Sequence, residues 1–488
     1  MLPAGLAVAL VSSQPIQATR PNILLFLVDD LGWSDCSVPM TGKQNERNKL
    51  YYTPNLEALA TESAIFSDAY SASPVCTPSR VAILTGKAPA RTHVTYWTHS
   101  NGDTSSPDPV ILQPKWQWQG ALPKDGPFLP ELLKGLGYHT IHIGKAHFGG
   151  QADFSANPLN LGFTVNVAGN ASGHPSSFLG TDNFASPATR GSDRTAYNDV
   201  IDLDKYHGQN IYLEEALAIE AVAEIKKAQQ TGKPFFMNFA PYAVHTPIMA
   251  NQKYLNKYAH LDPKEAAYAT MIETYDAALG AIMSELKRTN SWENTLVIFT
   301  SDNGGLSASS RGGELHTHNT PLRSGKGSYY EGGIRVPLII KYPHQKSTYA
   351  ISLPVIGTDL FRTMLDYAGY KAKLNVDAGN LGSKSNANRP LVWHMPHFWG
   401  PKAPGVEPSS FMRQGKWKLI YRHRDQGFEL YDLSADIGET KNLADSMLLD
   451  VRALAKTLAN ELRRLGAQMP TLKSNGQPVP WPDQPTID

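Results

Sequence analysis

Two pairs of oxygen-bearing side chains close two apolar runs. Asp29-Asp30 follows Arg20-Pro-Asn-Ile-Leu-Leu-Phe-Leu-Val28, and Asp302-Asn303 follows Thr295-Leu-Val-Ile-Phe-Thr300 and Ser301. Either pair alone reads as a loop cap. Two pairs of the same character at two strand ends instead suit one hard divalent cation, since Ca²⁺ and Mg²⁺ take oxygen ligands. These four groups are expected at the solvent-facing ends of their strands. A second chemical signal is Ser73-Pro-Val-Cys-Thr-Pro-Ser-Arg80, continuing to Thr85-Gly86. Pro78 and Ser79 suit the first turn of a helix, which leaves Cys76 just before an amino end that attracts anions. A lone cysteine is ordinarily a small buried hydrophobe, so Cys76 gains meaning only from the string around it. The fifteen histidines are likewise mostly structural or surface residues.

These groups need a frame that brings distant segments together. The run ending at Val28 is apolar throughout, as expected of a strand buried on both faces. Tyr138–Ile143, Pro234–Ala240 and Thr295–Thr300 read as further strands. Helical spacing covers Thr53–Glu62, Phe128–Leu136 and about 263–287. Strands alternating with helices predict an α/β fold with a large, mostly parallel sheet flanked by helices. In such sheets ligands bind beyond the carboxyl ends of the strands, where the polar clusters fall. Beyond about residue 385 the texture changes. Ser410–Tyr421 and Gly427–Tyr431 read as a pair of antiparallel strands and Leu448–Leu465 as a helix, so 385–488 is expected to be a smaller C-terminal α+β subdomain after a main domain over 19–384. The Ser/Asn/Gly-rich stretch 375–388 reads as a surface loop or linker.

The string C-x-P-S-R followed by T-G resembles that of the type I sulfatases, in the alkaline phosphatase superfamily. The resemblance extends in order through Arg20–Gly32, Gly144-Lys-Ala-His-Phe-Gly149, His245-Thr-Pro247, Ser301–Gly304, Pro321–Gly327 with Glu331–Pro337, and the carboxyl segments Gly415–Ile420, Glu429–Asp432 and Gly438-Glu439. One departure is Ala146, where the family usually has Trp; this is expected to reshape a pocket wall. The resemblance implies that Cys76 is oxidised to Cα-formylglycine by a maturation enzyme that reads Pro78 and Arg80. It implies a cation, Ca²⁺ with Mg²⁺ as the alternative, on Asp29, Asp30, Asp302, Asn303 and residue 76. Lys145 and Lys326 should clamp sulfate oxygens, and Arg80 should hold the hydrated aldehyde. That hydrate carries two hydroxyls on one carbon: one attacks sulfur, and the other, deprotonated by a base, expels sulfate and restores the aldehyde. His147 is the candidate base and His245 the candidate acid, with the two roles exchangeable. His394 and His397, flanked by Trp393 and Trp399, are candidates for a sugar cleft or for ordinary packing.

Composition narrows the alternatives. The 488 residues carry 45 Lys plus Arg against 44 Asp plus Glu, so no global basic field exists to hold nucleic acid. Two cysteines, Cys36 and Cys76, exclude a disulfide scaffold. Six Gly-Lys pairs occur, none followed by Ser or Thr, so no P-loop is present. No apolar run reaches the roughly 20 residues of a membrane span. Met1–Val11, followed by Ser12-Ser13 and Ala18, resembles a secretory signal over 1–18, which implies a secreted or periplasmic protein. The expected substrate is a sulfate monoester on a carbohydrate such as a galactan, a fucan or a glycosaminoglycan. The loops 151–204 and 305–319 are expected to choose it. A phosphate or phosphonate esterase of the same superfamily and an inactive sulfated-glycan-binding protein are the competing readings.

Overall fold

A computed structural model describes residues 20–99, 102–103, 105–190, 196–308, 310–400 and 403–484. The expected signal segment 1–18 lies outside them. The main sheet is built from β1 (Asn22–Val28), β2 (Ala64–Phe66), β3 (His139–Gly144), β4 (Val165–Val167), β5 (Phe235–Ala240), β6 (Thr295–Ser301), β7 (Leu338–Lys341) and β8 (Tyr349–Ile351). Their order across the sheet is β8-β2-β7-β6-β1-β5-β3-β4. The central strands β6, β1, β5, β3 and β4 run parallel, and β7 is antiparallel to both β6 and β2.

Alternation along β1 explains why the sheet is covered on both sides. Leu24, Phe26 and Val28 pack with α4 (Leu213–Thr231) and α5 (Pro263–Arg288), through Leu217, Tyr275 and Leu279. Ile23, Leu25 and Leu27 face the other way, toward α2 (Cys76–Thr85), α3 (Leu129–Gly135) and α6 (Thr358–Tyr367), through Val81, Leu133 and Phe361. A strand buried on both faces is therefore apolar at every position until it ends. The short helix α1 (Pro54–Ala60) fills the first layer beside α5.

Beyond the main sheet, β9 (Leu391–Met395), β10 (Ser409–Gln414), β11 (Trp417–Arg422) and β12 (Phe428–Asp432) form a four-stranded antiparallel sheet. The stretch expected as one strand over 410–421 is two, folded at Gly415, whose φ of 57° a side chain would resist. One face of this sheet packs on α7 (Leu448–Leu465) through Met412, Leu419, Leu458 and Leu462. Its other face, with Trp393, Phe411 and Ile420, packs on Tyr70 and on Tyr329 and Tyr330, which follow Lys326 in the chain. The stretch 375–388 is irregular apart from a 3-10 turn at Lys384–Asn388. Among the described residues, no helix is long and apolar enough to cross a membrane.

Candidate active site

Register brings the two oxygen pairs together. β1 and β6 are neighbours with Val28 opposite Ser301, so the residues that follow emerge side by side. The Asp30 amide donates to Asp302 Oδ1 at 3.2 Å, and Asn303 Nδ2 donates to Asp30 Oδ1 at 2.7 Å. Helix α2 aims its first residue at the same point: Cys76 Sγ lies 3.7 Å from Asp29 Oδ1 and 3.9 Å from Asp30 Oδ1. Cys76 is thus inside the helix at its first position, one residue further in than the sequence suggested. One ligand atom from each of Asp29, Asp30, Cys76 and Asp302 fits within a 4.8 Å cluster. All four acids and amides are fully buried, not at solvent-facing strand ends as expected.

Cations surround these acids. Lys145, just past β3, donates to both Asp29 oxygens at 2.8 and 2.7 Å. Lys326 donates to Asp30 Oδ2 at 2.8 Å. Arg80, one turn along α2, donates through Nε to Asp302 Oδ2 at 2.7 Å and through Nη1 to the Lys145 carbonyl at 2.8 Å. Three carboxyl groups thus face three basic side chains in a buried cluster. Burial, opposed by Lys145 but helped by Asp302 and Asp30, raises the Asp29 carboxyl above its usual range. Burial also pushes Asp302 up, but Arg80 and Lys145 outweigh it and hold that carboxyl below its usual value. Burial raises the Cys76 thiol against the pull of Lys145 and Lys326, which leaves an unmodified thiol poorly ionised.

The two histidines carry opposite tautomers. His147 Nε2 faces the Thr98 carbonyl at 3.0 Å, and a carbonyl only accepts, so the proton sits on Nε2. Its buried Nδ1 has no hydrogen-bond partner and keeps a bare lone pair. His245 Nδ1 faces the Thr246 carbonyl at 2.9 Å, and its Nε2 accepts from Lys326 Nζ at 2.9 Å. Burial first, then the lysines, pushes both imidazoles well below their ordinary value. Both rings are therefore neutral near pH 7.

The donor set fits a hard cation. Asn303 Oδ1 is buried without a hydrogen-bond partner beside three carboxylates, an arrangement that oxygen coordination would satisfy. The fit extends to residue 76. Arg80 Nη2 has no hydrogen bond and only a 3.5 Å approach to Asp29, so it keeps a donor for an oxygen borne there.

A cavity of about 640 Å³ opens above this floor. Cys76, His147, His245 and Lys326 line it, while Lys145 stands behind Asp29. The walls include Gly173, His174, Tyr197 and Asn198 from the stretch 151–204 and Leu306, Ser307 and Ala308 from the stretch 305–319. Trp97, His99 and Trp399 complete them; of these only Trp399 was singled out by sequence, because Trp97, His99, His174 and Tyr197 sit in stretches without periodicity. His174 stacks on His245 with centroids 5.6 Å apart and an 8° tilt. Of the other cleft candidates, Trp393 and His394 are buried in the C-terminal sheet, and His397 is held by Thr95 Oγ1 at 2.8 Å, so these three pack. Ala146 is fully buried in the core and is not among the residues that line the cavity.

The chain has clear relatives among known proteins. The sulfatase family model matches residues 21–370, and the model of the C-terminal part of N-sulphoglucosamine sulphohydrolase matches 325–468. A sulfatase of Formosa agariphila is 30% identical over 96% of this chain and 93% of its own length. Human N-acetylgalactosamine-6-sulfatase is 32% identical over 72% of this chain, which spans 62% of that protein. Among solved structures, Ps i-CgsB in complex with a k-i-k-neocarrahexaose superposes with a TM-score of 0.72 at 26% identity, covering 92% of this chain and 93% of that one. The chain therefore belongs to the sulfatase family of the alkaline phosphatase superfamily and is a sulfuric ester hydrolase.

Proposed function

We propose that this enzyme removes sulfate from a galactose-type unit of a sulfated glycan, using formylglycine at position 76 and a divalent cation, Ca²⁺ with Mg²⁺ as the alternative. One observation carries the reading: Cys76, at the amino end of α2, faces three carboxylates and Lys326 on the floor of a cavity wide enough for sugar. The sugar is proposed from the N-acetylgalactosamine and neocarrahexaose named for the relatives.

Asp29, Asp30, Asp302 and Asn303 would hold the cation, which supplies Lewis-acid polarisation of a sulfate oxygen. Formylglycine at 76 supplies, as its hydrate, two hydroxyls on one carbon, one to attack sulfur and one to release sulfate. The chain's own charges also suit an anionic ester. Asp29, Asp30 and Asp302 balance Arg80, Lys145 and Lys326, so any added dication leaves a positive floor. Lys326 at the cavity clamps a sulfate oxygen, and Lys145 aligns Asp29 from behind. Arg80 Nη2 donates to an oxygen on residue 76. His147, which lines the cavity and whose buried Nδ1 has no hydrogen-bond partner, takes a proton as base. His245 takes up a proton at Nε2 and delivers it to the leaving alcohol, with Lys326 as its neighbour.

The same reading places a catalytic domain over 19–384 and a C-terminal subdomain over 385–488, a maturation enzyme as partner, and a secreted or periplasmic location. Comparing turnover of 4-nitrophenyl sulfate, 4-nitrophenyl phosphate and a panel of sulfated galactans, fucans and glycosaminoglycans tests it. Sulfate turnover with the galactan or galactosamine members leading is expected; a higher rate on phosphate would overturn it.

A further inference from the structure

The cavity wall contains an aromatic group that the chemistry at sulfur does not use. Gly327 directly follows Lys326 and has a φ of 84°. A Cβ on Gly327 would lie 2.6, 2.7 and 2.8 Å from Trp399 Cδ1, Cγ and Cδ2. Three near-equal distances put the glycine under the face of the pyrrole ring, because in-plane approach to Cγ is blocked by its own side-chain stem. The Gly327 amide also donates to the Pro74 carbonyl at 2.9 Å, two residues before Cys76. Residue 76, the Lys326 ammonium and the Trp399 indole are therefore held as one unit.

Other rings hold the indole from the side. Tyr96 lies 5.7 Å from it at 68°, and Trp97 6.5 Å at 72°. His397, a candidate for the cleft or for ordinary packing, packs 5.0 Å behind Tyr96. Lys326 Nζ stands 6.0 Å from the Trp399 ring centroid. That gap has room for a sulfate oxygen hydrogen-bonded to Lys326, which brings the sugar carbon of a sulfate clamped there within reach of the indole.

We infer that Trp399 is a specificity residue: it stacks on the C–H face of the sugar ring that bears the sulfate and selects galacto- over gluco-configured pyranoses. The inference rests on the sulfatase reading above. An axial oxygen at C4 leaves the hydrogens of C3, C4 and C5 on one continuous apolar face. The equatorial oxygen of glucose breaks that face up. A rigid indole rewards the first and not the second.

Binding tests this without turnover. In Ca²⁺-loaded Cys76→Ala protein, calorimetry measures Kd for the monosulfates of methyl β-galactoside and methyl β-glucoside, and for inorganic sulfate. The tightest galactoside should bind about tenfold better than its gluco epimer. Adding Trp399→Ala should bring that ratio near one and leave inorganic sulfate within about twofold, while Trp399→Phe should retain part of the preference. A ratio near one in the parent, or one that survives Trp399→Ala, overturns the inference. So does an equal loss of inorganic sulfate, which would make Trp399 a scaffold for Lys326. If inorganic sulfate does not bind the parent and the wild type hydrolyses no aryl sulfate, the sulfatase reading fails and this inference falls with it.

Discussion

Asp30 and Asp35 lie on the same loop after β1, both buried and both facing cations, yet they belong to different kinds of cluster. Asp35 accepts from Arg311 Nη1 at 3.0 Å, from the Tyr268 hydroxyl at 2.8 Å and from the Gly32 amide at 3.1 Å. Arg311 reaches Glu265 at 2.9 Å and the Leu306 carbonyl at 3.3 Å, and its guanidinium lies 3.8 Å from the centre of the Tyr268 ring. Arg47 reaches the same Glu265 oxygen at 2.9 Å. Two acids meet two arginines, and Asp35, Glu265 and Arg311 have every polar atom paired. The Asp30 cluster is also balanced in charge but leaves Asn303 Oδ1, Arg80 Nη2 and His147 Nδ1 without hydrogen bonds. Each such group costs about 1–3 kcal/mol. In the Asp35 cluster the one buried atom left without a partner is Arg47 Nε, at its edge; the Asp30 cluster leaves three at its centre, beside a cavity, as suits a ligand.

The difference predicts opposite phenotypes. The largest effects belong to the Asp30 cluster. Cys76→Ala, or removal of divalent cations by chelation, should abolish turnover with little change in Tm, and Ca²⁺ should restore the chelated enzyme. Turnover persisting in chelator would remove the cation from the account. Next, Lys326→Ala should lower kcat/KM by about 10²-fold, the scale for losing a preorganised charge partner. An effect below about threefold would move this lysine out of the sulfate subsite.

The Asp35 cluster should answer in stability alone. Arg311→Met strands Asp35 and Glu265, and denaturant unfolding should show a loss of about 3–5 kcal/mol with kcat of the folded fraction unchanged. A fall in kcat without loss of stability would erase the distinction between the clusters. The smallest effect is in pH. Burial raises the Glu265 carboxyl, but Arg311 and Arg47 outweigh it and hold it at about 2, below its ordinary 4.5. A depressed carboxyl contributes stability that is complete above its unfolded value and is lost as pH falls toward its folded one. Glu265→Gln should therefore flatten the unfolding free energy between about pH 5 and pH 2. Parallel curves for wild type and variant would contradict the pairing.

These clusters also show where the sequence was readable. β1, β5 and β6 were legible because strands buried on both faces are apolar almost throughout, Asn238 in β5 being an interior exception, and the ends then carry the site. α5 and α7 were legible from their 3.6-residue spacing. Asp30 stood out from its strand-end position and its match with Asp302-Asn303, whereas the role of Asp35 was hidden, since its pairing depends on Arg311 and Glu265, which are remote in sequence. The same limit hid the antiparallel β7, the fold at Gly415 and the cavity walls at His174 and Tyr197. Long-range packing decides all of them, and no local period records it. It also decided between Trp399 and His397, two residues apart, of which one reaches the cavity and the other packs behind Tyr96.

The central claim is that turnover runs through a modified Cys76, and mass spectrometry of the tryptic peptide Leu50–Arg80, taken alongside activity on the same sample, tests it most directly. The account predicts a peptide lighter than its sequence mass, because the thiol has become an aldehyde, reactive to hydrazides, in a fraction that scales with specific activity. A preparation that turns over sulfate esters many times with the Cys76 thiol fully intact would contradict it.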